Sequence, residues 1–256
     1  MIPLLLCVDV GNTNIVFGLF EGPELRAKFR LATDTVRTAD EIGLLVAGCF
    51  GHFKLELSAV RHVAVCSVVP PLMYTLRHAL DKYVARPVLI AGETLPTGLT
   101  NLCEEPLGID RAVSGVAAMA LYGKPVIVVD FGTATKADAF NASGEYMGGV
   151  ICPGIKISMD ALFARAAKLP RIEIKKPRAA IGVNTVEQMQ SGAVYGYVGS
   201  VEGIVAQIRA EMGGPNVPVI ATGGLASLIA EHTPAISRVD KNLTLHGLRL
   251  VFERNG

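Results

Sequence analysis

The chain has 256 residues, 50% hydrophobic and 18% charged, with 24 Lys+Arg against 23 Asp+Glu and a formal net charge of +1. So near-neutral a balance gives no electrostatic footprint for nucleic acid or an anionic membrane, and this much apolar side chain excludes a disordered chain. Mean hydropathy is high at +0.42, yet no uncharged apolar run approaches the ~20 residues that a membrane-spanning helix needs.

In chain order, Leu4–Val10, Ile15–Phe20 and Leu25–Leu31 read as three strands in close succession, with turns at Gly11-Asn12 and Glu21-Gly22-Pro23. The start of the chain lacks a basic segment and meets Asp9 at once, so it reads as a buried strand and not a signal peptide. Thr38-Ala39-Asp40-Glu41 is a capping box opening a helix. Val63–Val69 reads as a strand, Pro70-Pro71 opens a helix to about Tyr83, and Pro87–Ala91 is a further strand. An alanine-rich helix follows Gly108-Ile109-Asp110-Arg111. The second half repeats the plan: strands at Val126–Asp130, Ala134–Phe140 and Tyr146–Ile151, helices at about Ile155–Ala167 and Val186–Met212, a strand at Val217–Ala221 and a closing helix near Leu243–Arg254. Alternation of this kind predicts an α/β fold.

The five cysteines (Cys7, Cys49, Cys66, Cys103, Cys152) are odd in number and form no C-x-x-C, which points to reduced thiols and a cytoplasmic setting. The five histidines show neither H-x-H nor H-E-x-x-H, so no zinc site is expected.

Asp9-Val10-Gly11-Asn12-Thr13 and Asp130-Phe131-Gly132-Thr133-Ala134 share one plan: strand, acid, glycine, small polar residue, returning strand. They lie roughly 120 residues apart, about half the chain. Either the chain is a duplication, with halves 1-110 and 111-256 facing each other across a cleft, or two common acid–glycine turns coincide. Around Asp9, the turn at Gly11 lets backbone N–H groups and the side chains of Asn12, Thr13 and Asn14 approach a phosphate, and a carboxylate beside it suits Mg²⁺. The bland alternative is a plain hairpin. No P-loop or G-x-G-x-x-G after a strand is present. Asp110 is either a helix-start acid favoured by the macrodipole or a carboxylate able to take a hydroxyl proton, with Arg111 beside it for an anion.

These motifs come in the order seen in type III pantothenate kinases, and the chain resembles that family over nearly its whole length. Asp9-Val10-Gly11-Asn12-Thr13-Asn14, Gly108-Ile109-Asp110-Arg111, Asp130-Phe131-Gly132-Thr133-Ala134-Thr135, Gly148 to Gly154, Asn184-Thr185 through Gly192, Thr222-Gly223-Gly224 and Leu243 to Leu248 carry the resemblance. It implies a duplicated ribonuclease H-like (actin-like ATPase) fold. It also implies ATP-dependent phosphorylation of pantothenate to 4′-phosphopantothenate, the first step toward coenzyme A. By that resemblance Asp9 to Val16 (with Ile15) form the first phosphate segment, with Asp9 near Mg²⁺, and Thr133 touches ATP. Asp110 is then the general base. Gly108, Ile109, Asp110 and Arg111 line the pantothenate site, and Thr185 is a further contact. Asp130 helps hold a monovalent cation, K⁺ or ammonium, and a homodimer is implied, with no nucleic-acid or membrane partner.

Two positions depart from the family pattern. Asn101 stands nine residues before the base, where the family tends to have an aromatic side chain beside the substrate. Lys136 stands where a neutral residue is common; it is either a solvated strand-face lysine or an extra cation near the phosphates. The glycines of Val186–Met212 (Gly192, Gly196, Gly199, Gly203) suggest close approach of another helix, from this chain or from a second copy. Thr222-Gly223-Gly224 is either a rest for adenine or ribose or a strand-to-helix turn. Two rival functions remain at this point: a kinase of the same fold for another hydroxy acid or sugar, and a nucleotide-binding regulator without catalysis.

Overall fold

The computed structural model describes residues 3–255. In chain order its elements are β1 (Leu4–Val10), β2 (Asn14–Glu21), β3 (Glu24–Ala32), α1 (Ala39–His52), β4 (Val60–Ser67), α2 (Pro70–Tyr83), β5 (Val88–Ile90) and α3 (Ile109–Tyr122). There follow β6 (Val126–Phe131), β7 (Ala134–Phe140), β8 (Tyr146–Pro153), α4 (Ile155–Arg165), α5 (Thr185–Glu211), β9 (Val219–Gly223), α6 (Ala226–Ala230), β10 (Arg238–Val239) and α7 (Leu243–Asn255). The chain forms two compact units: Met1–Leu99 with Pro106–Ala117 and Thr244–Gly256, and Thr100–Glu105 with Ala118–Leu243.

Each unit is built on a five-stranded mixed sheet. The order is β3-β2-β1-β4-β5 in the first and β10-β9-β6-β7-β8 in the second. Reversed, the second order matches the first strand for strand. The sense of pairing matches too: β1 is antiparallel to β2 and parallel to β4, and β6 is antiparallel to β7 and parallel to β9. Topology therefore decides between duplication and coincidence in favour of duplication, and the α/β, ribonuclease H-like expectation holds.

In the first unit both faces of the sheet are covered, which is why β1 reads as a nearly continuous apolar run. Leu4, Leu6, Val8 and Val10 face a core shared with Ile42, Val46 and Phe50 of α1 and Leu72, Leu76 and Leu80 of α2. Leu5 and Cys7 face the other way, against Val113 and Val116 of α3 and Leu245, Leu248 and Val251 of α7. Full burial pushes the Cys7 thiol far up, against a smaller lowering influence of Arg249, so Cys7 serves as a small hydrophobe. In the second unit Ile127, Val129 and Phe131 pack on Ala193, Val194, Val198 and Val201 of α5 and on Ala226 and Ile229 of α6.

Local signals set most boundaries. The Thr38 capping box is complete: Glu41 N–H donates to Thr38 Oγ1 at 3.3 Å and Thr38 N–H to Glu41 Oε2 at 2.7 Å. Asp40, the next residue after the first helical position, accepts from Lys82 at 2.7 Å and Tyr83 at 2.9 Å, tying α1 to α2. Those two hydrogen bonds hold its carboxyl below the usual range. β4 starts earlier than its apolar run suggests because Arg61 and His62 are exposed. α6 and β10, of five and two residues, were too short to show a period. β9 begins at Val219 and not Val217; Pro218 has no N–H for the ladder, and its carbonyl accepts from Ile127 N–H at 2.9 Å.

Candidate active site

In the first unit, Asp9 is the penultimate residue of β1, half-buried, with Val16 and Cys66 as its cross-strand partners. The hairpin behind it is held from three sides. Gly11 N–H donates to the Asn14 carbonyl at 3.0 Å, Thr33 Oγ1 donates to the Gly11 carbonyl at 2.6 Å, and Thr33 N–H donates to the Thr13 carbonyl at 3.0 Å. Asn12 and Thr13 are exposed and Asn14 is half-buried, so this loop offers polar groups to solvent. Val10 and Ile15 point into the core at 0% and 2% exposure, and Val16 packs on the opposite apolar cluster. Those three residues have only backbone to offer a ligand.

Alternation puts Asp9 on the Leu5 and Cys7 face of the sheet, the face that α3 covers. The carbonyl of Gly108 accepts from Arg111 N–H and Ala112 N–H, each at 3.0 Å, and so starts α3. Asp110 stands in the first turn, where the helix dipole favours a carboxylate. A Cβ at position 108 would lie 3.0 Å from Asp110 Oδ1, so glycine there leaves room for that carboxylate to lean back over the helix start. Ile109 anchors the turn in the apolar cluster. The same face carries a group that the sequence reading missed. Arg249 of α7, 7% exposed, pairs with Glu253 at 2.6 Å and lies 5.7 Å from the centre of the Phe20 ring.

In the second unit, β6 and β7 repeat the hairpin. Gly132 N–H donates to the Ala134 carbonyl at 3.1 Å, and the Thr133 carbonyl accepts from Gly154 N–H at 3.0 Å. Any side chain at position 154 would collide with the Thr133 carbonyl, which accounts for this glycine. Asp130 is paired across the ladder with Lys136 on one side and Thr222 on the other. Lys136 Nζ sits 3.2 Å from Asp130 Oδ2, and the lysine side chain is only 15% exposed. It is therefore not a solvated strand-face lysine. Gly223 has φ +93°, and a Cβ there would meet the Phe131 backbone and Asp130 Oδ1. Turn geometry thus explains Gly223.

Thr185 is the exposed first residue of α5, behind the Asn184 cap that accepts from Glu187 N–H at 3.0 Å. Among the described residues nothing lies within 4 Å of a Cβ built at Gly192, Gly196, Gly199 or Gly203, so the glycine face of α5 is left uncovered there. Asn101 is a turn-former: its amide donates to the Glu105 carbonyl at 2.8 Å and its oxygen accepts from Cys103 N–H at 2.9 Å. Tyr197 packs, its hydroxyl bonded to the Pro153 carbonyl at 3.0 Å.

Among the described residues no group of three His, Cys, Asp or Glu side chains is placed to hold a metal ion unaided. Asp9 beside an exposed polar turn fits Mg²⁺, which usually takes one or two carboxylates and completes its shell with phosphate and water. Asp130 fits a monovalent cation poorly. A second unit charge about 4 Å from the Lys136 ammonium would meet a repulsion on the order of 4 kcal/mol at an effective dielectric near 20.

A family model for type III pantothenate kinase matches residues 5–207. The type III pantothenate kinase of Moorella thermoacetica is 51% identical over 254 residues, covering 98% of this chain and 100% of that protein. That of Brevibacillus brevis is 52% identical over 254 residues, covering 98% and 99%. Among solved structures, a Campylobacter jejuni protein described as a Baf family transcriptional activator aligns with a TM-score of 0.61 at 19% identity over 98% of both chains. An inorganic polyphosphate/ATP-glucomannokinase from Arthrobacter aligns at 0.51 with 14% identity, covering 98% and 99%. Identities this low speak for the fold alone.

Proposed function

Since this chain belongs to the type III pantothenate kinase family, it is a phosphotransferase acting on pantothenate and ATP in coenzyme A synthesis, and we propose that Asp110 is its general base. The observation that carries this assignment is the start of α3, where Asp110 leans back over a glycine on the sheet face that also bears Asp9. Asp110 takes the proton of the pantothenate hydroxyl. The freed oxygen attacks the γ-phosphorus, the bond to the bridging oxygen breaks, and ADP leaves. Arg111 pairs with the pantothenate carboxylate, and Gly108 and Ile109 line that site with backbone and apolar surface.

The Asp9–Val16 hairpin binds phosphate of ATP through its backbone and through Asn12, Thr13 and Asn14; the role of Thr133 toward ATP rests on the family resemblance. Asp9 would hold Mg²⁺, which would supply charge neutralisation for the transferring phosphoryl group. Such chemistry needs positioning and charge neutralisation without a covalent intermediate. The division into halves 1-110 and 111-256 belongs to the same reading, with the boundary falling inside α3 and the compact units adding Pro106–Ala117 and Thr244–Gly256 to the first. The resemblance puts a K⁺ or ammonium ion at Asp130, where Lys136 already stands. Asn101 belongs to the pantothenate site through the turn it shapes, its amide being engaged within residues 101–105.

A homodimer through α5 is supported by the uncovered glycine face and by Ile181 and Val183, 85% and 83% exposed just before that helix. Thr185 then completes the partner's pantothenate site. Sedimentation at working concentration should show a dimer; monomer alone would remove this assembly. None of the five cysteines is in a disulfide, which supports a reducing cytoplasmic setting. ADP release that rises from background to saturation with pantothenate tests the reaction; a rate indifferent to pantothenate would oppose it.

A further inference from the structure

The two hairpins are equivalent in topology but not in charge. In the first, the partner of Asp9 across the ladder is Val16; in the second, the partner of Asp130 is Lys136. We propose that the Lys136 ammonium takes the place of a monovalent cation at Asp130, so that this chain carries its own cation and turns over without added K⁺ or ammonium. The activity arm of the test rests on the kinase reading above.

Three observations support the substitution. The register of the β6–β7 hairpin sets Lys136 directly opposite Asp130, so the approach is built into the backbone. The ammonium lies 3.2 Å from Oδ2, and the lysine is largely withdrawn from solvent. On the other side of the carboxylate, a Cβ built at Gly223 would come within 2.7 Å of Oδ1, so glycine there leaves no side chain between β9 and that oxygen. An ε-ammonium is also the tethered counterpart of free ammonium, and tethering gives it a local concentration that does not depend on the medium.

The test uses the full chain and its Lys136→Thr variant, at constant ionic strength, in N-methylglucamine, K⁺ or ammonium salts. One arm reads pantothenate-dependent ADP release, and the other reads calorimetric binding of a non-hydrolysable ATP analogue with Mg²⁺. The native chain should give rates and affinities within about twofold in all three media. The variant should lose roughly tenfold or more in N-methylglucamine and recover in K⁺ or ammonium, because those ions can then reach Asp130. A native chain that itself gains tenfold from K⁺, or a variant as indifferent to cations as the native chain, would overturn the proposal. If the variant fails to fold, judged by circular dichroism, the response of the native chain decides alone. If neither protein releases ADP in any medium, the kinase reading fails, and the binding arm still decides the role of Lys136.

Discussion

Replacing Asp110 with asparagine should lower kcat by about 10²- to 10⁴-fold, the range general-base catalysis contributes. Asparagine keeps the size of the side chain and can still bond near the helix start, so the KM for pantothenate should move by no more than about threefold, a loss confined to the transition state. The fold should survive, because the carboxylate–dipole interaction lost from the first turn of α3 is worth roughly 0.3–1 kcal/mol. Steady-state kinetics beside a thermal melt separates these effects. A kcat within threefold of native would remove Asp110 as the base.

The second large effect is on stability. In the first unit α7 crosses α3 at Gly247, where an added Cβ would overlap the Val113 carbonyl and crowd Val113 Cγ1. The crossing is also pinned by a 3.0 Å hydrogen bond between Ser114 and Thr244. The atom in the way is backbone, so relief requires the helices to separate. Gly247→Ala should therefore cost about 3 kcal/mol, the upper part of the usual overpacking range. That corresponds to a fall in Tm of roughly 6–12 °C for a chain of this size. A melt unchanged within a degree would show that α7 yields easily. Val113 is three positions from Asp110 on the same helix, so the variant should lose activity as well.

Elements announced by local chemistry were legible in the sequence. The Thr38 box, Pro70 at a helix start and the acid–glycine turns after β1 and β6 each act within a few residues, and each lies where expected. The duplication was legible only as a suggestion, since two turns do not establish strand order; the matched sheets do. The ion pair between Lys136 and Asp130 depends on register. Its signal was available: folding the chain back at Gly132-Thr133 with Phe131 opposite Thr135 sets Asp130 opposite Lys136. Arg249 was hidden because a charged residue in a helix ordinarily faces water, whereas its partner Glu253 lies one turn along and Phe20 far away in sequence. The turn built by Asn101 was hidden by its place in the family pattern, which frames that position as a binding site. The glycines of α5 leave two partners open in the sequence, and among the described residues nothing comes within 4 Å of a Cβ built at them.

This chain moves a phosphoryl group from ATP to the hydroxyl of pantothenate. Phosphorus NMR with mass spectrometry of the products, after incubation with ATP, Mg²⁺ and pantothenate, reads that transfer. The expected products are 4′-phosphopantothenate and ADP in equal amounts, both formed about 10²- to 10⁴-fold more slowly by Asp110→Asn. ATP bound but unconsumed, or ADP formed with free phosphate and pantothenate unchanged, would contradict that transfer.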